Sequence, residues 1–397
     1  MMIVRTKPAI TVFRKFDRIA AMARSLLRRV CLLTPKKAPA VGLQAPATAA
    51  RMSGNIRPDG AASTIFLVRG LDSGHITRRA APLRQPRGSR RKWENFLLAM
   101  ANMSESSPEF PAPEAFTPIL EDLRRDDRDR YLTALLAPVG AREGMLAVYG
   151  FNLEIARVRE TVSEELIGRM RLQWWRDCLD GIFAGVPPGD QPGGHPVAGP
   201  LAWAARRFSL PRTLFDGLID AREADLAGGQ PADLAALEDH ARRTAAPVVD
   251  LALRVLGQDT GPAAAAAVDV ALAQALAGIL RAVPFNLRAG LVRLPDDLCR
   301  EAGLDLDRLR DRGPAGQERA LAVVVSTVAA RARRALDAAR RHRVPRAALP
   351  ALLPARLAAR DLKRLARAGY DPFAGSVMRV DGLRPLVLLS ARLRGKY

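Results

Sequence analysis

From Glu114 to Tyr397 apolar residues recur at helical spacing almost without a break, and runs that alternate apolar with polar residues are scarce. That pattern points away from sheet, because side chains on one strand face repeat every second residue and those on one helix face every three or four. Phe116, Ile119, Leu120 and Leu123 form one amphipathic stripe, and Tyr131, Leu132, Leu135 and Leu136 form a second that Pro138 stops. Ser163, followed by Glu164 and Glu165, predicts an N-cap with acids in the first turn. Beyond it Ile167, Met170, Trp174, Cys178 and Ile182 predict a core-facing stripe. The Gly- and Pro-rich segment from Gly185 to Pro200 is expected to be a loop. Helices are then expected at 201–208, 211–227, 233–256, 262–282, 316–342, 346–368 and 383–394. Pro247 should kink the third of these, since it removes an internal hydrogen bond. About ten helices with no internal repeat of fixed period predict a single all-α bundle.

The first quarter has a different character. Residues 1–102 hold 20 of the 62 Lys and Arg but only 4 of the 41 Asp and Glu, so 16 of the 21 net positive charges lie there. The segment is rich in Ala, Pro, Gly and Ser and lacks a periodic apolar face. It cannot bury enough surface to offset its chain entropy, so residues 1–105 are expected to be a disordered basic extension. Its start, MMIVRTKPAITVFRKFDRIAAMARSLLRRVCLL, has the composition of a mitochondrial transit peptide. A true start at Met100 or Met103, or a genuine basic arm, are the other readings of the same residues. Because the charge sits outside the periodic part, the high isoelectric point does not indicate a nucleic-acid-binding fold, and no nucleic-acid partner is expected.

Cys31, Cys178 and Cys299 lie far apart with no metal-ligand spacing, which suits a reducing compartment and neither a disulfide scaffold nor a structural zinc site. The best candidate for a membrane span, Ala263–Val283, is Ala-rich and interrupted by Asp269 and Arg281, so it reads as a buried helix.

Two segments carry a sharper signal: Tyr149–Asp177, YGFNLEIARVRETVSEELIGRMRLQWWRD, and Arg281–Pro295, RAVPFNLRAGLVRLP. The first resembles the substrate helix of the squalene/phytoene synthase family. The second resembles that family's other Asp-rich helix end, with Gly290, Leu294 and Pro295 in place. Where the family carries Asp-Asp-x-x-Asp, this chain has Ala156, Arg157 and Glu160. Where it carries Arg-Asp-x-x-Asp-Asp, this chain keeps Arg281 and then has Ala282, Phe285 and Asn286. The wording FNLEIARVRE, SEELIGRMRLQWWRD and LRAVPF is closer still to a subgroup, the complex I (NADH:ubiquinone oxidoreductase) assembly factor 6 proteins and their bacterial relatives. The resemblance runs from about Phe116 to Tyr397 and implies one isoprenoid-synthase-like domain over residues 110–397. In the family the acids hold magnesium against a prenyl diphosphate, so their exchange implies no metal, no cofactor and no catalytic residue here. Leu153 stands where the family has an Arg that meets diphosphate. His240 and Arg242, ahead of LRVLG at 253–257, stand where it has the aromatic pair that shields a carbocation.

Tyr149, Leu153, Ala156 and Glu160 share a helix face, and the resemblance implies that this face looks into a central cavity. Arg157, Arg159, Arg281 and Arg288 flank the altered motifs as candidate anion- or lipid-binding groups, with guanidinium forks replacing magnesium. Pairing with Glu154, Glu160 or other helix acids is the alternative. Neighbouring Trp174 and Trp175 cannot both face one core, so one is expected inside and the other over a groove or partner surface. Of the remaining acids, Glu160, Asp177, Asp180, Asp220, Glu223 and Asp225, the pairs Asp220/Glu223 and Asp177/Asp180 are one turn apart and could share a cation. Such spacing more often marks a solvated helix face. His195 and His240 have no ligand-type neighbours and read as surface or polar-packing residues.

The resemblance thus implies a catalytically degenerate synthase-like protein acting in respiratory complex I assembly, peripheral to a membrane. Its partners would be complex I subunits or assembly intermediates, with an anionic lipid or isoprenoid as ligand. The alternative is a divergent prenyl transferase of isoprenoid biosynthesis. Loss of five of six motif carboxylates should cost such an enzyme at least about a thousandfold in rate. The expected location is a bacterial cytoplasm beside the inner membrane, or the mitochondrial matrix if residues 1–102 are a presequence.

Overall fold

The computed structural model describes residues 111–162, 164–186 and 194–397. The basic extension, its disorder and presequence readings, Cys31 and Ser163 lie outside them. Among the described residues every regular element is helical. The longer helices are α1 (Thr117–Asp126), α2 (Arg128–Ala134), α3 (Ala141–Thr161), α4 (Glu165–Ala184), α5 (Ala198–Arg207), α6 (Arg212–Leu226) and α7 (Leu234–Val255). They continue as α8 (Gly261–Arg288), α9 (Asp296–Ala302), α10 (Leu306–Arg312), α11 (Glu318–Ala339), α12 (Pro354–Arg367) and α13 (Arg384–Arg394).

Local chemistry sets many of the ends. Asp127, Asp233 and Asp305 cap α2, α7 and α10 by accepting from the backbone N–H of Arg130, Ala236 and Arg308 at 3.1, 2.7 and 2.9 Å. Gly140, at φ +86°, opens α3 and donates its N–H to the Glu143 carboxylate at 2.7 Å. Gly185, at φ +80°, closes α4 in the left-handed conformation.

α8 is the central helix, packed against α7, α11 and α12, while α3 packs on α5, α6 and α7. By length and composition α8 could cross a membrane, yet over half of its most apolar window is buried within the bundle. It runs past the expected end at 282, through Pro284, because Val283, Pro284 and Leu287 are buried and their packing outweighs the one lost hydrogen bond. Where α3 approaches α7, Gly144 is pressed so closely that a Cβ there would lie 2.4 Å from Phe208 and 2.8 Å from Val255.

Three expectations need correction. The core stripe of α4 is rotated: Ile167 and Met170 are exposed, and Gly168, Leu172, Trp175, Cys178, Leu179 and Ile182 are buried. Both stripes are apolar at helical spacing, and contact with Leu226 on α6, against which Gly168 lies, selects the second. The loop expected to reach Pro200 ends earlier, since α5 begins at Ala198. The sequence does not predict the short helices α9 and α10, which at two turns each are too brief to show a period.

Candidate functional site

A cavity of about 320 Å³ opens among α2, α6, α7, α8 and α12. At one end Asp129 of α2 and Asp361 of α12 face Arg281 of α8 and Arg384 of α13. Arg384 donates to Asp129 at 2.5 Å and to both Asp361 oxygens at 2.5 and 2.7 Å. Arg281 donates to Asp361 at 2.9 Å and Asp129 at 3.3 Å. Burial acts to lower the Arg384 pKa, but the two carboxylates outweigh it and hold the guanidinium above its ordinary value.

Beyond the opposite wall, which Arg130, Arg222 and His240 line, three bases share the buried carboxylate of Asp225. Arg222 reaches it at 3.3 Å, His240 through Nδ1 at 3.3 Å and Arg293 at 3.1 Å. Arg130 completes this wall, paired with Asp127 at 2.5 Å and stacked 5.9 Å above the ring of Tyr149. Burial lowers the pKa of His240, with Arg293 and Arg222 adding to it against the pull of Asp225. Burial likewise lowers that of Arg222, and Arg130 and Arg293 reinforce it against Asp225.

A second hollow, about 350 Å³, lies between α3 and α4 beside His195. Trp175 is buried edge-on against Phe151, with centroids 5.2 Å apart, and Trp174 lies half-buried over the groove at 4.9 Å from Trp175. His195 packs on both indoles, and its Nε2 lies 3.4 Å from Glu154.

The residues singled out by sequence scatter across these features. Arg157 lines the aromatic groove and pairs with Asp126, with Glu154 at 3.2 Å and with Asp122 at 3.5 Å. Arg281 lines the cavity, Arg288 is exposed, and the half-buried Arg159 has an Nε with no hydrogen-bond partner among the described residues. Tyr149 and Leu153 are buried, Ala156 is half-buried and Glu160 is exposed, and none of these four lines the 320 Å³ cavity. His240 does line it, while Arg242 pairs with Glu238 at 3.1 Å. Asp220 and Glu223 both accept from Arg176, at 2.7 and 2.6 Å; Asp180 accepts from Arg212 at 2.6 Å and Asp177 from Gln173 at 2.8 Å. Sequence spacing does not single out Arg130, Arg222, Arg293, Asp361 or Arg384. The one local sign is the charge-dense run Asp126–Arg130.

Magnesium, which the resemblance implies for active relatives, requires several oxygen ligands at ~2.1 Å. The motif positions offer one carboxylate, the exposed Glu160, beside Ala156, Arg157, Ala282, Phe285 and Asn286. Among the described residues no group of three or more His, Cys, Asp or Glu could hold a metal. The residues at the motif positions do not fit that ion.

An all-α bundle around a charged cavity, with substituted acid motifs on two of its helices, defines a helical isoprenoid-synthase fold. Residues 123–388 match the squalene/phytoene synthase family. The chain belongs to that family. It is 33% identical over 287 residues to NADH dehydrogenase (ubiquinone) complex I, assembly factor 6 of Rattus norvegicus, covering 72% of this chain and 84% of the relative. The Homo sapiens assembly factor 6 is 32% identical over 280 residues, 70% of this chain and 82% of that protein. A phytoene synthase of Thermus thermophilus is 31% identical over 196 residues, 48% of this chain and 63% of that enzyme. Among solved structures, a dehydrosqualene synthase in complex with ligand superposes with a TM-score of 0.60 at 18% identity, covering 71% of this chain and 96% of the other.

Proposed function

We propose that this chain is a catalytically silent member of its family that serves the assembly of respiratory complex I at a membrane surface. The observation that carries the proposal is the state of the motif positions. Arg157 engages Asp126, Asp122 and Glu154, and Ala282, Phe285 and Asn286 offer no carboxylate from α8. Ionising an allylic diphosphate relies on Lewis-acid neutralisation worth several kcal/mol, and these side chains cannot supply a metal for it. Relatives named for complex I assembly, matched over more than four-fifths of their own length, support the same reading.

The partners are complex I subunits or assembly intermediates, met beside a bilayer. α13 suits that place: Leu386, Leu389 and Leu393 are exposed opposite the buried Leu388 and Ala391, with Arg379, Arg394 and Lys396 exposed nearby. Apolar side chains flanked by cations favour an anionic membrane surface. The cavity is then left for the head group of an anionic lipid or isoprenoid. Deletion of the gene should lower NADH:ubiquinone activity and leave carotenoid, hopanoid and quinone content unchanged. Normal complex I with depleted isoprenoids would establish the prenyl transferase alternative instead.

A further inference from the structure

A groove of about 270 Å³ runs between α11 and α12 and shares no lining residue with the 320 Å³ cavity. Its walls carry Arg333, Arg340 and Lys363 against a single carboxylate, Asp337. Asp337 pairs with Arg340 at 3.3 Å. Arg333 donates to the Tyr370 hydroxyl at 3.0 Å and the Leu362 carbonyl at 3.2 Å, neither of them an anion. Lys363 is exposed and forms no ion pair among the described residues. Two turns before it on α12, Arg356 extends the same face, half-buried, its Nε screened from solvent and without a hydrogen-bond partner among the described residues. Burial lowers the pKa of Arg356, the neighbouring Arg340 and Arg394 add to that, and no carboxylate opposes them. The other acid of α12, Asp361, is held by Arg384 and Arg281. A half-buried guanidinium beside two others gains most from an added anion.

The end of α13 is tied to the end of α11. Tyr397 donates its hydroxyl to the Ala339 carbonyl at 2.5 Å and the His342 carbonyl at 3.1 Å, and Arg392 donates to the Arg346 carbonyl at 2.6 Å. The exposed Leu393 directly precedes Arg394, and the exposed Leu386 and Leu389 continue the same face of α13. We infer that the α11–α12 groove, continued by Arg356 and Arg394, binds the phosphate head group of an anionic phospholipid while these leucines enter the apolar edge of the bilayer. Guanidinium and ammonium groups hold phosphate oxygens without a metal. The leucines select the source, because a soluble phosphate or a nucleic acid would leave them in water and an amphiphile covers both features. The inference rests on the proposed work at a membrane surface and names what that surface must present. Groove-dependent lipid binding by a chain dispensable for complex I would refute the assembly role and leave this site standing. A chain needed for complex I whose lipid binding ignores the groove would do the reverse.

The test is co-sedimentation of the full chain with phosphatidylcholine vesicles that contain about a fifth phosphatidic acid. Affinity should fall about tenfold or more in the double variant Arg356→Gln/Lys363→Gln, which breaks no ion pair. The double variant Arg206→Gln/Arg319→Gln removes the same charge from exposed positions on α5 and at the far end of α11, and should lose about twofold at most. The basic extension is common to all three proteins, so the comparison isolates the groove, and circular dichroism checks each fold. Leu386→Ser/Leu393→Ser should weaken vesicle binding as well. Equal losses in the two charge-matched variants, or vesicle binding unchanged in the leucine variant, would overturn the inference. So would a larger loss of polyuridylate binding than of vesicle binding in Arg356→Gln/Lys363→Gln, which would assign the groove to nucleic acid.

Discussion

Replacing Arg384 by Met should be the most damaging single change in the ion-pair cluster of Asp129, Asp361, Arg281 and Arg384. The Arg384 side chain is 8% exposed, and Asp129 and Asp361 opposite it are 19% and 12% exposed. Its loss leaves two largely buried carboxylates facing Arg281, which is 41% exposed and already bonded to both. Breaking a buried pair by removing one partner costs roughly 3–5 kcal/mol, and the surviving contact to Arg281 places the loss near the lower end, about 3 kcal/mol. For a bundle of this size each kcal/mol shifts the melting midpoint by about 2 °C, so a drop of about 6 °C is expected. Adding Asp129→Asn removes the surplus negative charge and should recover a large part of the loss, a non-additivity that urea titration of the single and double variants measures. Arg384 also anchors α13, so the variant should be cut more readily near its C-terminus by protease. A loss under about 1 kcal/mol, or no recovery in the double variant, would show that solvent already screens these charges.

Three other outcomes follow from packing and titration. Gly144→Val should lower stability by about 2 kcal/mol or more through its clash with Phe208 and Val255, whereas Gly217→Ala, open around its Cβ position, should raise it by about 0.5–1 kcal/mol in the same melts. Burial pushes the Cys178 and Cys299 thiols up to about 11, so at about pH 8 roughly a thousandth of each is thiolate; iodoacetamide labelling followed by mass spectrometry should leave both unmodified in the native chain, and rapid labelling would show that the core opens. The depressed pKa of His240 keeps it neutral in the folded state while the unfolded chain takes up a proton near pH ~6.5, so its contribution is complete above that value and declines as pH falls towards the folded pKa. Wild type should therefore lose more stability than His240→Gln between about pH 7.5 and about pH 5.5, and parallel profiles would refute the assignment.

The helical class, most helix positions and the altered motifs are legible in the chain itself, because the helical period and the identity of a motif residue are local properties. Gly290, at φ +71°, follows the end of α8 and Pro295 caps the start of α9, each by its own backbone preference. Which face of α4 is buried is not local: the stripe through Ile167 and Met170 and the one through Leu172 and Trp175 are both apolar, and α6 decides between them. The partners of the charges are equally hidden. Asp220 and Glu223 share a turn as cation ligands would, yet Arg176, 44 and 47 residues earlier in the chain, takes both. Arg384 meets Asp129 across 255 residues, and three bases converge on Asp225 from α6, α7 and the segment before α9. A helix turn fixes neighbours three and four residues apart, whereas the field at a buried carboxylate is set by whichever distant helices pack against it. The sequence therefore determined the helical bundle and the residues at the motif positions, and only the tertiary structure decided which carboxylate each arginine around the cavity meets.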